Sequence, residues 1–528
     1  MRPGQLLPAL ALGIFLGALD MNILALALTR LSTDFDIPQA ATVWIVVTYS
    51  AAYLIAMPIV GRLGDLFGRR QAFMAGVAVF TVGSLLCAMS GWAGNWLWLL
   101  LLGRVVQGLG AGGLVPVATA LISEHIAPDR RGKALGVVGI TFGGASILGP
   151  ILGGALIDPI GWEWLFALNV PLGFLAWRLA DSMLPDTWPK DRGQVDWAGG
   201  VLLTIALGSL IVGAELVATN LKELSSPFFG FAGPALIGSA VAFYAFLVWE
   251  RLADSPMLDL GLYRRAPVRV AFVLALLYGA GMIVAMVFTP IFFHYRFHLA
   301  TWQSALGLLP MAAAVGFASM KGGKLSDAWG PRQVLLMGFA CFAVGLGLLA
   351  WLAPWAPLPL ALVALAVAGL GFGFCQAPLT HAVLQATDDA QAGQASGAVN
   401  THRSLGGIVG ATAGALFIAD AMSRVGSRMI TEMGPSMPPM CIIPRVVDPN
   451  HVADVLKMLP PEARAKALAD ATAIVSQQMV SGLSSLYAAG AATLALALLF
   501  AFALPAKPKA EPQAPAEPEV LPPEAQAA

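Results

Sequence analysis

The chain has 528 residues, of which 58% are hydrophobic and only 11% are charged, and its mean hydropathy is +0.76. A soluble domain carries roughly 25% charged residues, so this balance excludes an ordinary globular protein and predicts an all-α polytopic membrane protein. The formal net charge is zero, which excludes the basic excess typical of nucleic-acid-binding proteins. The four cysteines and six histidines show no ligand spacing, so we expect neither a disulfide framework nor a metal site.

Apolar segments of about 20 residues, the length that crosses roughly 30 Å of hydrocarbon, recur along the whole chain. The first begins near the N-terminus and is too long for the apolar region of a signal peptide, so we interpret it as an uncleaved span. The fourteen predicted spans are 6–29, 42–61, 71–91, 96–122, 133–157, 164–184, 197–217, 228–250, 268–293, 301–320, 333–352, 358–380, 395–420 and 478–504.

The basic residues predict the orientation of these spans. Alternate short loops hold clusters such as Arg62, Arg69 and Arg70, whereas the intervening loops hold few. Because loops rich in Lys and Arg stay in the cytoplasm, both termini are predicted to be cytoplasmic. The basic segment 421–477 is then external, which long loops tolerate. It could form amphipathic helices that lie on the membrane or a partner, or remain an inert loop, and both interpretations are open.

A polar island, Gly61–Arg70, lies between two apolar runs and predicts a tight interfacial turn. A degraded copy at Gly323–Arg332 keeps Gly, Leu, Asp, Gly and Arg at the same internal spacing, and Gly132–Val138 likewise matches Gly393–Val399. Such repeats predict two six-helix halves around a central cavity, with two helices inserted between them. The predicted parts are the first half at 1–185, the inserted pair at 186–255, the second half at 256–504 with its external loop at 421–477, and a disordered cytoplasmic tail at 505–528.

Four further motifs accompany the island in chain order. They are Leu19–Ala27 on span one, Gly103–Gly113 on span four, Gly149–Gly154 on span five and Trp162–Gly173 at the start of span six. The ordered set resembles the fourteen-helix drug:proton antiporter family of the major facilitator superfamily. The resemblance covers nearly the whole chain and implies the major facilitator fold. The sequence departs from the family pattern at Asn22, where Thr is expected, and at Arg30, where Pro is expected.

Asp20 is the carboxylate placed well inside a predicted span, where an ionisable group is costly unless it is paired or functional. Asp20 and Arg104 each lie about nine residues from the outer end of their spans, so at 1.5 Å per residue both lie roughly 13 Å below the outer surface. We therefore expect Asp20 to bind the coupling proton and Arg104 to tune it, because a nearby cation favours the carboxylate and dehydration favours the acid. A static buried ion pair remains an open alternative.

Asp65 with Arg69 and Arg70 predicts a conformational latch, completed by the turn glycines Gly61 and Gly68. A carboxylate near the start of a helix is stabilised by the helix dipole, and breaking that contact would accompany opening. The resemblance implies the same use of the island. The alternative is that the island is a topology signal and nothing more.

The cluster of Gly149, Pro150, Gly153 and Gly154 permits close helix contact and a bend at the proline. The family associates this motif with antiport, so the resemblance implies export. Glycines 108, 110 and 113 spell a dinucleotide fingerprint, but the run lies inside an apolar span with no preceding strand, and we interpret it as helix packing.

The remaining candidates for a substrate or charge site are Asn22, Gln107 and Arg403. Arg403 lies about eight residues into its span, where it either neutralises a bound anion or reaches the cytoplasmic surface by extending its side chain. The external segment could also dock a periplasmic membrane-fusion adaptor, and this too is open.

The leading interpretation is a proton-coupled antiporter for multidrug efflux, which exports small amphipathic or hydrophobic compounds across a bacterial inner membrane. It would need no cofactor other than the proton motive force. The alternative is a proton-coupled transporter of a specific metabolite or lipid on the same scaffold, because a fold does not determine its cargo. An enzyme is not expected, since the chain has no G-x-S-x-G or H-E-x-x-H motif and no paired carboxylates at depth.

Overall fold

The structure, a computed structural model, describes residues 6–24, 27–37, 39–127, 130–186, 194–219, 231–387, 391–433 and 461–505, apart from some side chains within these ranges. The described residues form eighteen α-helices, with short 3-10 segments at Gln39–Thr42 and Leu260–Arg264. The helices are α1 (Leu7–Ile23), α2 (Leu28–Asp34), α3 (Val43–Phe67), α4 (Arg69–Trp92), α5 (Leu97–Gly112), α6 (Leu114–His125), α7 (Arg131–Ile160), α8 (Glu163–Ala167), α9 (Asn169–Met183), α10 (Trp197–Thr219), α11 (Ala232–Leu252), α12 (Ala266–Phe297), α13 (Thr301–Leu306), α14 (Leu309–Trp329), α15 (Pro331–Leu352), α16 (Leu358–Leu384), α17 (Ala392–Met433) and α18 (Pro461–Ala501).

Eleven stretches of the described chain are helical, long and apolar enough to cross a membrane, with α5 and α6 forming one stretch together. Helix α1 is apolar but shorter, and α7 and the α8–α9 pair are not among the eleven. Only helices or closed barrels satisfy every backbone hydrogen bond in hydrocarbon, which is why such apolar runs fold this way. The predicted all-α membrane fold is therefore confirmed, and the count of fourteen spans stays a prediction.

Helices α1–α9 and α12–α18 form two bundles, and an apolar core lies within each of them. In the first bundle α5 packs against α3 and α4, and in the second α16 packs against α14 and α15. Helices α10 and α11 pack on each other, and α10 also contacts α3. The two bundles meet where α7 lies against α14 and where α17 lies against α3. The network of Asp20 lies inside the first bundle, and the caps made by Asp65 and Asp327 lie along these two contacts.

The polar island is more helical than its polarity predicts. Helix α3 continues to Phe67 and α4 begins at Arg69, so the turn is confined to Gly68, which has φ +105°. Gly330 has φ +87° at the same place between α14 and α15. A side chain is strained at these backbone angles, so glycine is needed at both positions. Below, the end of the bundle that holds Gly61–Arg70 is called the island end.

The last two long helices extend beyond the spans predicted for them. Helix α17 continues to Met433 and α18 begins at Pro461, so the helices cover both flanks of the segment 421–477 that was expected to be a loop. Both helices carry polar residues at these flanks, which is why hydropathy alone ended the spans early. Residues 434–460 and the predicted tail beyond 505 lie outside the described residues.

Candidate functional site

Asp20 and Arg104 form an ion pair in the interior of the first bundle. Arg104 Nη1 donates to Asp20 Oδ2 at 2.5 Å, and the two side chains are 1% and 0% exposed, respectively. The pair joins α1 to α5, as the equal depth of the two residues in their spans predicts. Removing both charges from water is costly, so their mutual contact and further hydrogen bonds are needed to hold them there.

Gln107 completes the coordination of the Asp20 carboxylate. Its Nε2 donates to Asp20 Oδ1 at 2.7 Å and its Oε1 accepts from Arg104 Nη1 at 2.7 Å, so one amide bridges both charged groups. Ser84 Oγ accepts a second hydrogen bond from Gln107 Nε2 at 2.8 Å. Gln107, a substrate or charge-site candidate from the sequence, therefore lies in direct contact with both charged groups.

Asn169, the first residue of α9, is a fifth member of this network. Its Nδ2 donates to Asp20 Oδ1 over 3.4 Å, a long hydrogen bond, and the residue is 1% exposed. Its Oδ1 is buried and has no hydrogen-bond partner in the described part of the chain. Each hydrogen bond to Asp20 in the described chain thus comes from a donor, and Asn169 carries an unused acceptor on the same amide that donates to Asp20. A buried unpaired acceptor costs about 1–3 kcal/mol, which makes this atom a functional candidate.

Apolar and aromatic groups surround the guanidinium of Arg104. Its Cζ lies 4.1 Å from the ring centroid of Tyr49, and its Nε donates to the carbonyl of Ile45 at 3.2 Å. Ile45 belongs to a buried cluster that also contains Leu31, Trp162 and residues of α5 and α8. The cluster lies on the side of Arg104 away from the island end. The ion pair is thus dehydrated in this structure, a setting in which a change of protonation has a large electrostatic effect.

Glycines in α4 and α5 allow the network to assemble. A Cβ on Gly83 would lie 2.4 Å from the backbone nitrogen of Gln107, and one on Gly110 would lie 2.3 Å from that of Phe80. A Cβ on Gly108 would lie 2.5 Å from the carbonyl oxygen of Tyr49. The backbones of α3, α4 and α5 therefore approach closely, as the packing interpretation of glycines 108, 110 and 113 predicts.

The carboxylate of Asp65 joins the two bundles at the island end. It accepts hydrogen bonds from the backbone N–H groups of Gly393 at 3.3 Å and Gln394 at 2.9 Å, in the first turn of α17. Arg69 donates to Asp65 Oδ1 at 2.9 Å and to Glu124 on α6 at 3.0 Å. An anion at a helix N-terminus is stabilised by the unpaired N–H groups and by the dipole, so Asp65 caps α17 across the two bundles. The use of this contact as a latch stays a prediction.

The remaining island residues act within or beside this contact. Arg70 donates to Asp181 at 2.9 Å and also pairs with Asp186, so it ties α4 to the end of α9. A Cβ on Gly61 would lie 2.8 Å from the carbonyl oxygen of Gly393, so α3 and α17 touch backbone to backbone.

Asp327 makes the equivalent contact from the second bundle. It accepts from the backbone N–H groups of Gly132 at 2.7 Å and Lys133 at 2.9 Å, in the first turn of α7. A Cβ on Gly323 would lie 2.0 Å from the carbonyl oxygen of Gly132. The repeat is visible in the sequence, but no role of Asp327 is predicted from it. The internal repeat could have identified this role. Asp327 corresponds to Asp65, and the start of α7 corresponds to the start of α17, so a cap of α17 by Asp65 implies a matching cap of α7 by Asp327.

Arg403 lies apart from the ion pair, on the face of α17 that meets the first bundle. It is half-buried and donates to Asn400 Oδ1 at 2.6 Å. It borders a cavity of about 20 Å³ between the bundles, which is also lined by Thr119, Gln376 and Thr380. Gln376 Oε1 is buried without a hydrogen-bond partner in the described chain. A larger, mainly apolar cavity of about 430 Å³ lies between α12, α13, α17 and α18 and does not adjoin Asp20.

The antiport motif lies on α7, which packs against α1 and α14. Gly149 and Gly153 are buried, and the helix continues through position 150. Ala145, one turn earlier, packs on Ala18 and Leu19, directly beside Asp20. The surroundings of Asn22, Pro150 and Gly154 lie outside what the structure describes.

Comparison with known proteins relates this chain to membrane transporters. A family model described as Major Facilitator Superfamily matches residues 10–411. "Multidrug resistance protein 3" of Bacillus subtilis is 30% identical over 406 residues, covering 76% of this chain and 77% of that protein. A "Triacylglyceride transporter" of Mycolicibacterium smegmatis is 33% identical over 421 residues, covering 76% of this chain and 73% of that protein. Other relatives of similar identity are named for drug efflux or multidrug resistance.

Among solved structures, the proton:xylose symporter XylE superposes with a TM-score of 0.61 at 15% identity, covering 96% of each chain. At that identity the likeness shows the fold alone. The matched model spans most of the chain and the relatives are transporters, which are not enzymes. This multi-pass membrane protein belongs to the Major Facilitator Superfamily.

Proposed function

We propose that the protein is a proton-coupled antiporter that exports small amphipathic or hydrophobic compounds across a bacterial inner membrane. The observation that carries the proposal is the dehydrated Asp20–Arg104 pair, a titratable group held inside one of two bundles that meet through helix caps at one end. The names of the drug-efflux relatives support the class of cargo. The coupling energy is the proton gradient, and no cofactor takes part.

The coupling step follows from the charges around Asp20. With the carboxylate ionised, Arg104 and the amide of Gln107 are both satisfied. When a proton binds, Arg104 loses its counter-charge and the new O–H group needs an acceptor, so the packing of α1 against α5 and α9 must change. A protonation event thereby favours one arrangement of the bundle over another, which is the requirement for coupling.

The latch contacts assign the conformation. The clusters of Lys and Arg predict that the island end faces the cytoplasm, with both termini on that side. Asp65 and Asp327 cap α17 and α7 there, so in this proposal the structure is closed to the cytoplasm. Opening to the cytoplasm would break both caps, and opening to the outside would keep them. Rocking of the two bundles about their contact then gives alternating access, with the central cavity predicted from the sequence opening to each side in turn.

Proteoliposomes test the proposal against the alternative of a transporter for one metabolite or lipid. Purified protein is reconstituted, a pH gradient is imposed, and proton release is followed on adding either a panel of amphipathic drugs or candidate metabolites and lipids. We expect proton release with several unrelated drugs. Release that follows one metabolite or lipid and no drug would favour the alternative.

Docking of a periplasmic membrane-fusion adaptor on the external segment is a separate part of the proposal. Co-purification of adaptor candidates with the full chain and with a variant lacking residues 425–470 tests it. Capture that depends on the segment would support the adaptor, and equal recovery with both forms would contradict it.

Replacing Asp65 with asparagine should shift the protein towards the state that is open at the island end. The change removes the anion that caps α17, which is worth about 1–2 kcal/mol and hence a population shift of roughly 5- to 30-fold. Spin labels on α3 and α17 near the island end should report a larger fraction of long distances. Asp181→Asn is the matched control, because Asp181 pairs with Arg70 within the first bundle and should leave the distances unchanged.

Replacing Asn169 with leucine should move the pH profile of transport to more acidic pH. Leucine has a similar volume but lacks the side-chain carbonyl that could accept a hydrogen bond from protonated Asp20. The change also removes the hydrogen bond from Asn169 Nδ2 to the ionised carboxylate, but this bond is long and therefore weak. A loss of about 1.4 kcal/mol corresponds to a shift of roughly one pH unit. Asn169→Asp should shift the profile the opposite way, because a second carboxylate favours protonation. Equal profiles for both variants would exclude Asn169 from the coupling network.

A further inference from the structure

Two carboxylates of the inserted helix pair meet at the island end, outside the network of Asp20. Asp196 lies in the turn before α10 and Glu250 lies in the last turn of α11. Glu250 is only 4% exposed, and its Oε2 accepts from the backbone N–H of Leu258 at 3.1 Å. Asp196 Oδ1 accepts from Gly199 N and from Trp249 Nε1, each at 2.8 Å. One oxygen of each carboxylate, Asp196 Oδ1 and Glu250 Oε2, therefore accepts hydrogen bonds.

The other oxygen of each carboxylate is buried and has no hydrogen-bond partner in the described chain. Both orphaned oxygens point to the same small space beside Gly199. A Cβ built on Gly199 would lie 2.2 Å from Asp196 Oδ2 and 2.8 Å from Glu250 Oε1. Two ionised carboxylates facing each other in a buried space repel strongly, and each unpaired oxygen also loses its hydration.

The charged groups that face Glu250 in the described chain are Asp196, from the turn before α10, and Arg62, from α3. Arg62 Nη2 donates to Ser255 Oγ at 3.5 Å, and its Nε is buried without a partner. One cation therefore stands beside two acidic groups. This balance suits a pair of carboxyls that carries a single negative charge between them.

We propose that Asp196 and Glu250 form a second proton-binding site, in which one proton is shared by the two orphaned oxygens and Arg62 balances the remaining charge. A proton bonded to one of these oxygens forms an O–H group that donates a hydrogen bond to the other, so both oxygens are satisfied at once. No group of three or more potential metal ligands occurs in the described chain, so a proton fits this site better than a metal ion.

The site is connected to the latch by a continuous chain of hydrogen bonds. Glu250 holds the N–H of Leu258, and the neighbouring carbonyl of Met257 accepts from Gln394 Nε2 at 2.6 Å. The backbone N–H of Gln394 donates in turn to Asp65 Oδ2 at 2.9 Å. Loss of the shared proton would drive the two carboxylates apart, displace the segment after α11 and weaken the cap on α17. High pH at the island end should therefore favour opening there.

The existence of the proton site rests on its own geometry, whereas its effect on the latch rests on the function proposed above. Infrared difference spectroscopy of the reconstituted full chain separates the two, because the protonated carboxyl band is read without any transport. The parent for this titration is Asp20→Asn, which removes the proton site of the first bundle. We expect a carboxyl band that titrates with pH in this parent.

Three variants on that parent test the assignment. Glu250→Gln keeps the acceptor for Leu258 and should abolish the band, and Asp196→Asn should lower its midpoint, because a repelling carboxylate is removed. Asp254 is an exposed carboxylate in the segment after α11, and Asp254→Asn should leave the titration unchanged. The proposal is overturned if Glu250→Gln retains the band or if Asp196→Asn leaves its midpoint unchanged or raises it.

Spin-label distances between α3 and α17 at the island end test the connection to the latch in the chain that retains Asp20. We expect these distances to lengthen as the pH rises and to become independent of pH in Glu250→Gln. The same pH response in both proteins would overturn the connection. Neither the carboxyl band nor the spin-label distances require transport. A failure of the proposed transport function can therefore be distinguished from a failure of the proposed proton site.

Discussion

Replacing Asp20 with asparagine is expected to abolish proton-driven transport while leaving the fold intact. Asparagine has nearly the same shape, and its side-chain oxygen can still accept from Arg104, so the helices can still form and pack, in the arrangement of α1 against α5 and α9 that the neutral, protonated acid favours. The variant has no titratable group at this position. Without a group that binds the proton more tightly in one conformation than in the other, a proton gradient cannot shift the populations of the two conformations. No gradient-driven component should remain above that of protein-free vesicles.

The measurement is drug transport in proteoliposomes with and without an imposed pH gradient. Exchange of labelled for unlabelled drug at equal pH on both sides is the control, because exchange needs binding and rocking but no net proton movement. We expect Asp20→Asn to retain exchange and to lose the response to the gradient. Unaltered gradient-driven efflux would remove Asp20 from the mechanism, and loss of both activities would point to a static structural pair.

Replacing Arg104 with alanine is the second change with a large expected effect. Asp20 then keeps only amide donors in a dehydrated site, and breaking a buried ion pair by removing one partner typically costs about 3–5 kcal/mol. Without the cation the protonated acid is favoured, so release of the proton requires higher pH and the transport optimum should move to alkaline pH. Contacts of the guanidinium with the Tyr49 ring and the Ile45 carbonyl are lost as well.

A double-mutant cycle separates the charge effect from the packing effect. The combination of Asp20→Asn with Arg104→Ala should be less destabilised than the sum of the single changes, because no unpaired charge is left buried. Thermal unfolding of the detergent-purified protein measures the stabilities, and proteoliposomes measure the pH profile. Additive stabilities together with an unshifted pH optimum would show that the pair is not coupled in the way proposed.

The two bundles divide the expected tasks unequally. Helices α12 and α16 hold the places in the second bundle that α1 and α5 hold in the first, and neither carries a carboxylate. The latch, by contrast, is built twice, with Asp65 and Asp327 each capping a helix of the other bundle. In the proposed function, proton coupling therefore belongs to the first bundle and closure to both bundles, which is why Asp20→Asn and Asp65→Asn are expected to affect different measurements.

Much of this protein follows from the sequence by itself. Hydrocarbon admits only backbones that satisfy their own hydrogen bonds, so the apolar runs determined an all-α membrane fold. A charged side chain deep in a membrane span has a high free-energy cost, and this cost identifies Asp20 and Arg104 as functional candidates from the sequence. Their equal distance from the outer ends of their spans predicts that they pair. The repeat of the island likewise predicted a two-fold organisation, and the family resemblance is confirmed by the Major Facilitator Superfamily match.

Only the tertiary structure decided which groups complete these sites. Gln107 and Asn169 reach Asp20 from α5 and α9, and Ser84 on α4 holds the amide of Gln107. Hydropathy shows how apolar a helix is, but it does not show how that helix is rotated against its neighbours. The partner of Asp65 is the start of α17, more than half the chain away, and Asp196 meets Glu250 only because α10 and α11 pack antiparallel. Helix rotation and approach depend on the close contacts that small residues permit, and these are a property of pairs of helices rather than of any one segment.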